Sequence, residues 1–331
     1  PMGILTYVAP LLALRFGTTL LPVGLALAAV RLLGAGAHLA ACLGGTPGLA
    51  RGIRLQRGMV RPILSFGGWM TVTAVVSPLM VYLDRFLIGG MLSLAMVAYY
   101  TTPYDLAQRF AILSMPVVNV MFPAFAACFD TDRSRTVRLF DWSVRSVATI
   151  LFPVVVICVL FAPELLTLWL GADFASRSSA VLRLLALGML LNGMAMMALS
   201  FLQSTGRPDL SARLHVLELP AYLLVLWLLI GRMGIMGAAL AWFLRVTVDA
   251  AAMFLMAHRR IGPGSTGART ALLAGGGGAL LIAAGAGLPG LALRGGYAAA
   301  LLAIFAVVVW RTVAIPGHRI LFEARESRLP R

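Results

Sequence analysis

Apolar residues run along this chain in stretches of about 20, the length that crosses a bilayer as a helix, and the stretches are parted by short breaks rich in Arg, Gly and Pro. Within each stretch both helix faces are apolar, so no wet face is left for water. Read between the breaks, the stretches cover 2–14, 18–43, 62–83, 97–128, 141–162, 178–204, 211–231, 234–257, 270–289 and 296–315. The expected fold class is an all-α polytopic membrane protein with about ten transmembrane helices. The first stretch is short, as if cut at its start. The stretch 97–128 is longer than a straight crossing needs and holds Pro103, Pro116 and Pro123, so a kink or break is predicted there. Tyr99 and Tyr100 precede Pro103, and their rings suit a headgroup layer.

Alternate loops differ in charge. One set carries Arg51, Arg54, Arg57 and Arg61, then Arg133, Arg135, Arg138 and Arg145, then Arg207 and Arg213, then Arg259, Arg260 and Arg269, and finally Arg311, Arg319, Arg325, Arg328 and Arg331. The opposite set carries only Arg15, Arg177, Arg183, Arg232 and Arg294. Cytoplasmic loops keep positive charge during insertion, so both ends of this multi-pass chain are expected in the cytoplasm.

Composition agrees: 60% of the 331 residues are hydrophobic and 12% are charged, and the mean hydropathy is +0.93. A net charge of +15 could suggest nucleic acid. The basic residues, however, are spread between apolar stretches instead of gathered on one solvated face, so nucleic acid is not an expected partner. Cys42, Cys128 and Cys158 show no C-x-x-C spacing and no His pair beside them, so neither a metal nor a disulfide framework is expected. Gly275 to Gly278 lack the Lys and Ser/Thr of a phosphate loop, and no cofactor is implied. The chain opens at Pro1 directly into an apolar run, without a start Met or a basic leader, which reads as a fragment of a longer protein.

Charge at membrane depth is costly, so each ionisable residue within a stretch is a functional candidate. Arg31, Arg85, Arg109 and Arg245 are candidates to line a substrate cavity, because a guanidinium grips an anion with paired donors. Asp84, Asp105, Glu218 and Asp249 are candidates for ion coupling or for a gate. A plainer reading pairs Asp105 with Arg109 and Arg245 with Asp249, each at i,i+4 on one helix face. His215 follows Arg213 closely and reads as a solvated interfacial residue.

Several strings carry a resemblance. They are Arg61-Pro62-Ile63-Leu64-Ser65-Phe66-Gly67, Tyr82-Leu83-Asp84-Arg85-Phe86-Leu87-Ile88-Gly89, Ala98-Tyr99-Tyr100 and Phe122-Pro123. They continue with Leu168-Trp169-Leu170-Gly171, Asp173-Phe174, Gln203-Ser204-Thr205-Gly206-Arg207-Pro208 and Gly234-Ile235-Met236-Gly237-Ala238-Ala239 with Ala241-Trp242 and Arg245. In order and spacing they resemble the polysaccharide biosynthesis, or O-antigen-type oligosaccharide flippase, branch of the multidrug/oligosaccharidyl-lipid/polysaccharide exporter superfamily. The resemblance implies two six-helix lobes around a central cavity, with two further helices. On that template 1–43 is the end of the amino-terminal lobe, 44–61 a cytoplasmic basic linker, 62–258 the carboxy-terminal lobe, 259–315 two additional helices and 316–331 a cytoplasmic basic tail. Four earlier spans of the template have no counterpart in the sequence, so this chain alone is not expected to transport.

The function so implied is the flipping of an undecaprenyl-diphosphate-type, lipid-linked oligosaccharide across the membrane, without catalysis. Membrane lipids, a polysaccharide polymerase and glycosyltransferases are the implied partners. A small-molecule or multidrug exporter of the same superfamily is the first alternative. A membrane-embedded glycosyltransferase or polymerase is the second, weakened because the outer loops offer only Glu164 and Asp173 as acids.

Overall fold

The computed structural model describes residues 2–13, 20–45, 57–262 and 264–311. Among them only helices and their connections occur, and nine stretches are long and apolar enough to cross a membrane. The expected basic loop 44–61 falls mostly outside the described residues, as does the tail from 312.

Two compact units divide at Ile63 and Leu64. In the first, α1 (Met2–Ala13) packs against α2 (Leu20–Gly45). At 12 residues α1 is shorter than a crossing requires, which is why nine stretches replace the ten read from sequence. α3 (Arg57–Met91) begins in the first unit and carries Arg61, so the predicted linker ends in a helix rather than in a loop.

The second unit is built around α8 (Ala172–Ser204), which packs against α10 (Ile235–Ile261), α6 (Arg133–Leu160), the short α7 (Ala162–Leu170), α4 (Leu94–Gln108) and α5 (Ala111–Cys128). α9 (Pro208–Met233) lies mainly on α10. The core at α8 is aromatic: Phe201 meets Phe125 edge-on at 5.5 Å between centroids and Phe140 at 5.5 Å. Trp242 of α10 sits edge-on to Tyr104 of α4 at 5.7 Å. Large apolar side chains such as Leu32, Phe86 and Leu280 remain exposed, as a lipid solvent permits.

Small residues set the closest approach. An added Cβ at Gly237 would lie 2.0 Å from the backbone oxygen of Leu229, so α9 and α10 touch main chain to main chain. Gly234, at φ +60, makes the turn between them, a conformation that a Cβ disfavours.

The predicted break in 97–128 is present, but not at a proline. Pro103 lies inside α4 and Pro116 and Pro123 inside α5. The interruption falls at Arg109 and Phe110, where Arg109 N bonds to Leu106 O at 3.2 Å and Phe110 N to Ala107 O at 3.0 Å, the tighter i→i+3 pattern. Beyond α10, α11 (Gly267–Thr270), a π-helical segment (Ala271–Gly277) and α12 (Gly278–Ala286) form one stretch, and α13 (Leu291–Val309) returns across it.

The helix ends of this unit sort into two faces. On one, Arg133 at the start of α6 donates to the Ile261 carbonyl at 2.9 Å and also to Arg260 O, Arg260 donates to Thr205 O at 2.6 Å, and Asp141 accepts from Thr266 N at 2.9 Å and Ser265 Oγ at 2.8 Å. On the other, Tyr99 donates to Asp173 at 3.0 Å, and Arg294 is paired with Glu164 and donates to Leu160 O at 2.9 Å. Arg207, Arg259, Arg260 and Arg269 end on the first face, and Arg177, Arg232 and Arg294 on the second.

Candidate functional site

Ionisable side chains at membrane depth gather in two layers of the second unit. At about 1.5 Å rise per residue, Asp84 and Arg85 lie roughly 10 Å from the Met91 end of α3, and Arg245 about 15 Å from the Ile235 end of α10. This is the first layer.

Asp84 is fully buried and accepts from the Tyr100 hydroxyl at 2.7 Å and from the Arg85 main-chain N at 2.6 Å. Arg85 reaches Asp105 at 2.8 Å and lies over the rings of Tyr82 at 5.2 Å and Tyr104 at 5.6 Å. Arg245 stands over the Tyr222 ring at 5.7 Å, with Nη1 3.9 Å from Met80 Sδ and Nε without a hydrogen-bond partner. Two guanidinium groups, one from α3 and one from α10, thus share an aromatic layer. The layer can hold an anion by charge and by unused donors, and nothing in it resembles a nucleophile with its base.

The second layer is deeper. Ser77 of α3 lies roughly 21 Å from the Met91 end, and Asp249 and Glu218 at similar depths on α10 and α9. His215 Nε2 is 3.3 Å from Asp249 Oδ1, and its Nδ1 is 3.5 Å from Ser77 Oγ. Ligand atoms of His215, Glu218 and Asp249 all lie within 4.8 Å of one another, and the three residues are buried.

Several readings from spacing are corrected by this geometry. Asp105 pairs with Arg85 across two helices instead of with Arg109, because the turn at Arg109 carries that side chain to an exposed position. Asp249 faces His215 while Arg245 turns toward Tyr222 and Met80. His215 is buried, not interfacial, and Tyr100 is fully buried against Asp84 rather than lodged among headgroups. Arg31 lies exposed on α2, in the first unit. Sequence reasoning missed Tyr104, Tyr222 and Ser77, whose only signal was a polar atom on an otherwise apolar helix face. Glu164 and Asp173, the outer acids, are engaged by Arg294 and by Tyr99 and Arg177.

An all-helical chain with nine stretches long and apolar enough to cross a membrane among the described residues defines a polytopic membrane protein. Residues 26–179 match the family model described as "Polysaccharide biosynthesis protein". The chain is 32% identical over 185 residues to a "Putative O-antigen transporter" of Shigella flexneri, a match covering 56% of this chain and 44% of that relative. Together the two matches make this chain similar to polysaccharide biosynthesis and O-antigen transporter proteins over part of their length. The chain thus spans less than half the length of the relative it matches.

Proposed function

We propose that this chain is the carboxy-terminal part of a transporter that flips a lipid-diphosphate-linked oligosaccharide across the bacterial inner membrane, for cell-surface polysaccharide synthesis, by alternating access around a cationic cavity. The observation that carries this is the layer of Arg85 and Arg245 within helices that are otherwise apolar. A charge retained at that depth needs a use, and a diphosphate supplies the matching anion. Tyr82, 52% exposed, offers a ring face of the kind sugars stack on. The relative's printed name supports the same class of cargo. The face bearing Arg207, Arg259 and Arg269 is the cytoplasmic one on this reading. The protein performs no chemistry on its cargo.

The test uses the complete protein in cells that depend on it for surface polysaccharide. Arg85→Ala and Arg245→Ala are expected to lower surface polysaccharide well below the level given by Arg259→Ala, at equal amounts of protein in the membrane. Full complementation by both would remove the cationic cavity. Arg85→Lys is expected to restore only part of the activity, since an ammonium lacks the paired donors.

A further inference from the structure

We propose that His215, Glu218 and Asp249 form a binding site for a divalent transition-metal cation of the zinc type, held between α9 and α10. The site does not depend on the transport reading. His215 and Glu218 stand at i,i+3 on α9 and so share one helix face, onto which the Gly237 contact brings Asp249 of α10.

The distances suit a metal. The 3.3 Å between His215 Nε2 and Asp249 Oδ1 equals the spacing of two ligands on a tetrahedral ion bound at about 2.0–2.1 Å. One carboxylate oxygen of Glu218 lies within 4.8 Å of the ligand atoms of the other two, near enough for the side chain to close the triad around an ion. Ser77 Oγ, 3.5 Å from Nδ1, stands where a second-shell partner orients a metal-bound imidazole.

The second observation is independent of the clustering. Both carboxylate oxygens of Glu218 and Oδ1 of Asp249 are buried without a hydrogen-bond partner among the described residues, and Glu218 is only 8% exposed. Buried carboxylates demand a counter-charge or a proton. Arg245, the nearest cation on α10, lines the same cleft as Glu218 but makes no ion pair or hydrogen bond with it, its guanidinium being turned toward Tyr222 and Met80. An imidazolium at His215 would answer Asp249 and leave Glu218 to take up a proton of its own; a divalent ion between the three answers both carboxylates at once. The donor set also selects the ion. Calcium and magnesium prefer all-oxygen shells, whereas an imidazole with carboxylates suits zinc and its neighbours. Three protein ligands leave a fourth position, and the cleft that Glu218 lines between α9 and α10 is apolar, with a volume of about 160 Å³.

The experiment titrates Co2+ into the purified chain in lipid nanodiscs, prepared without a polyhistidine tag, and follows the visible d–d absorption. Saturation at one Co2+ per chain is expected, with displacement by Zn2+ and not by excess Na+. Asp249→Asn, His215→Gln and Glu218→Gln are expected to weaken binding by about a hundredfold or more, because each removes a direct ligand where a second-shell loss alone costs about 10–100-fold. His258→Ala, an exposed histidine at the end of α10, is expected to bind like the parent. Should a variant fail to fold, the parent protein still decides: Zn2+ is expected to raise its denaturation temperature together with the Co2+ spectrum. Absence of saturable Co2+ absorption, binding unchanged in all three variants, or displacement by Na+ would each overturn the site.

Discussion

Tyr100 shows how one hydroxyl can hold a charge inside a membrane protein. Its O–H is the only side-chain donor to Asp84 among the described residues, and both residues are fully buried. Replacing it by Phe removes the donor and leaves Asp84 Oδ2 unsatisfied, a loss of about 1–3 kcal/mol. Tyr100→Phe is therefore expected to lower the denaturation temperature of the chain in detergent clearly more than Asp84→Asn, in which the amide still accepts from the hydroxyl. An equal or smaller shift would count against this account. Asp105→Asn breaks a pair whose carboxylate is 59% exposed, and such pairs contribute about 0–1 kcal/mol, so stability is expected to change little. Partner choice at this scale was not legible in the sequence. An i,i+4 spacing points along one helix, but which cation an acid meets is set by the rotation of neighbouring helices. Arg85, from α3, reached Asp105 first. His215 was misread for the same reason: its sequence neighbour is Arg213, while its spatial neighbour Asp249 arrives on α10.

Helices depend on contacts that a single methyl group can spoil. Gly237→Ala would place a carbon 2.0 Å from the Leu229 carbonyl oxygen, so α9 and α10 must part. A lowered denaturation temperature is expected, and a larger one for Gly237→Leu. Gly67→Ala, with nothing within 4 Å of the new methyl, is expected to be neutral or to stabilise by about 0.5–1 kcal/mol through helix propensity. If both alanine variants behave alike, close approach is not what joins these helices. At the start of α6, Asp132 caps the helix by accepting from Arg135 N at 2.8 Å. That bond, with the Ser134 hydroxyl, holds its carboxyl below the usual range. A carboxyl so lowered contributes stability that is present above its ordinary value and lost as pH falls through the lowered one. Fraying of α6 on acidification is expected in the parent and absent in Asp132→Ser, whose hydroxyl caps without titrating, as read by hydrogen exchange near Arg135. The stretches themselves were legible because lipid-facing helices need no alternation. The break was half legible: proline density marked the right stretch, yet each proline sits within a helix and the turn formed at Arg109 and Phe110, where no residue type announces it.

Across the second unit the helix ends form two faces, and Arg133, Arg207, Arg259 and Arg260 lie at one of them. In a background with Cys42, Cys128 and Cys158 replaced, single cysteines at positions 131, 206 and 262 are expected to react with a membrane-impermeant thiol reagent from the cytoplasm only. Positions 173 and 289 are expected to react from outside only. Reaction of 206 and 173 from the same side would undo the arrangement. The division into faces was foreseen from charge, whereas the bonds that close each face depend on residues far apart in the chain. Arg133 reaches a carbonyl 128 positions onward, and Asp141 an amide 125 positions onward. During synthesis, therefore, α6 enters the membrane long before its partners exist, and its cation and acid wait at the bilayer edge until the ribosome has delivered residue 266. Until that moment the half-made unit carries an open charged rim, so a released chain ending at residue 255 is expected to be degraded faster in a pulse-chase than one ending at 270.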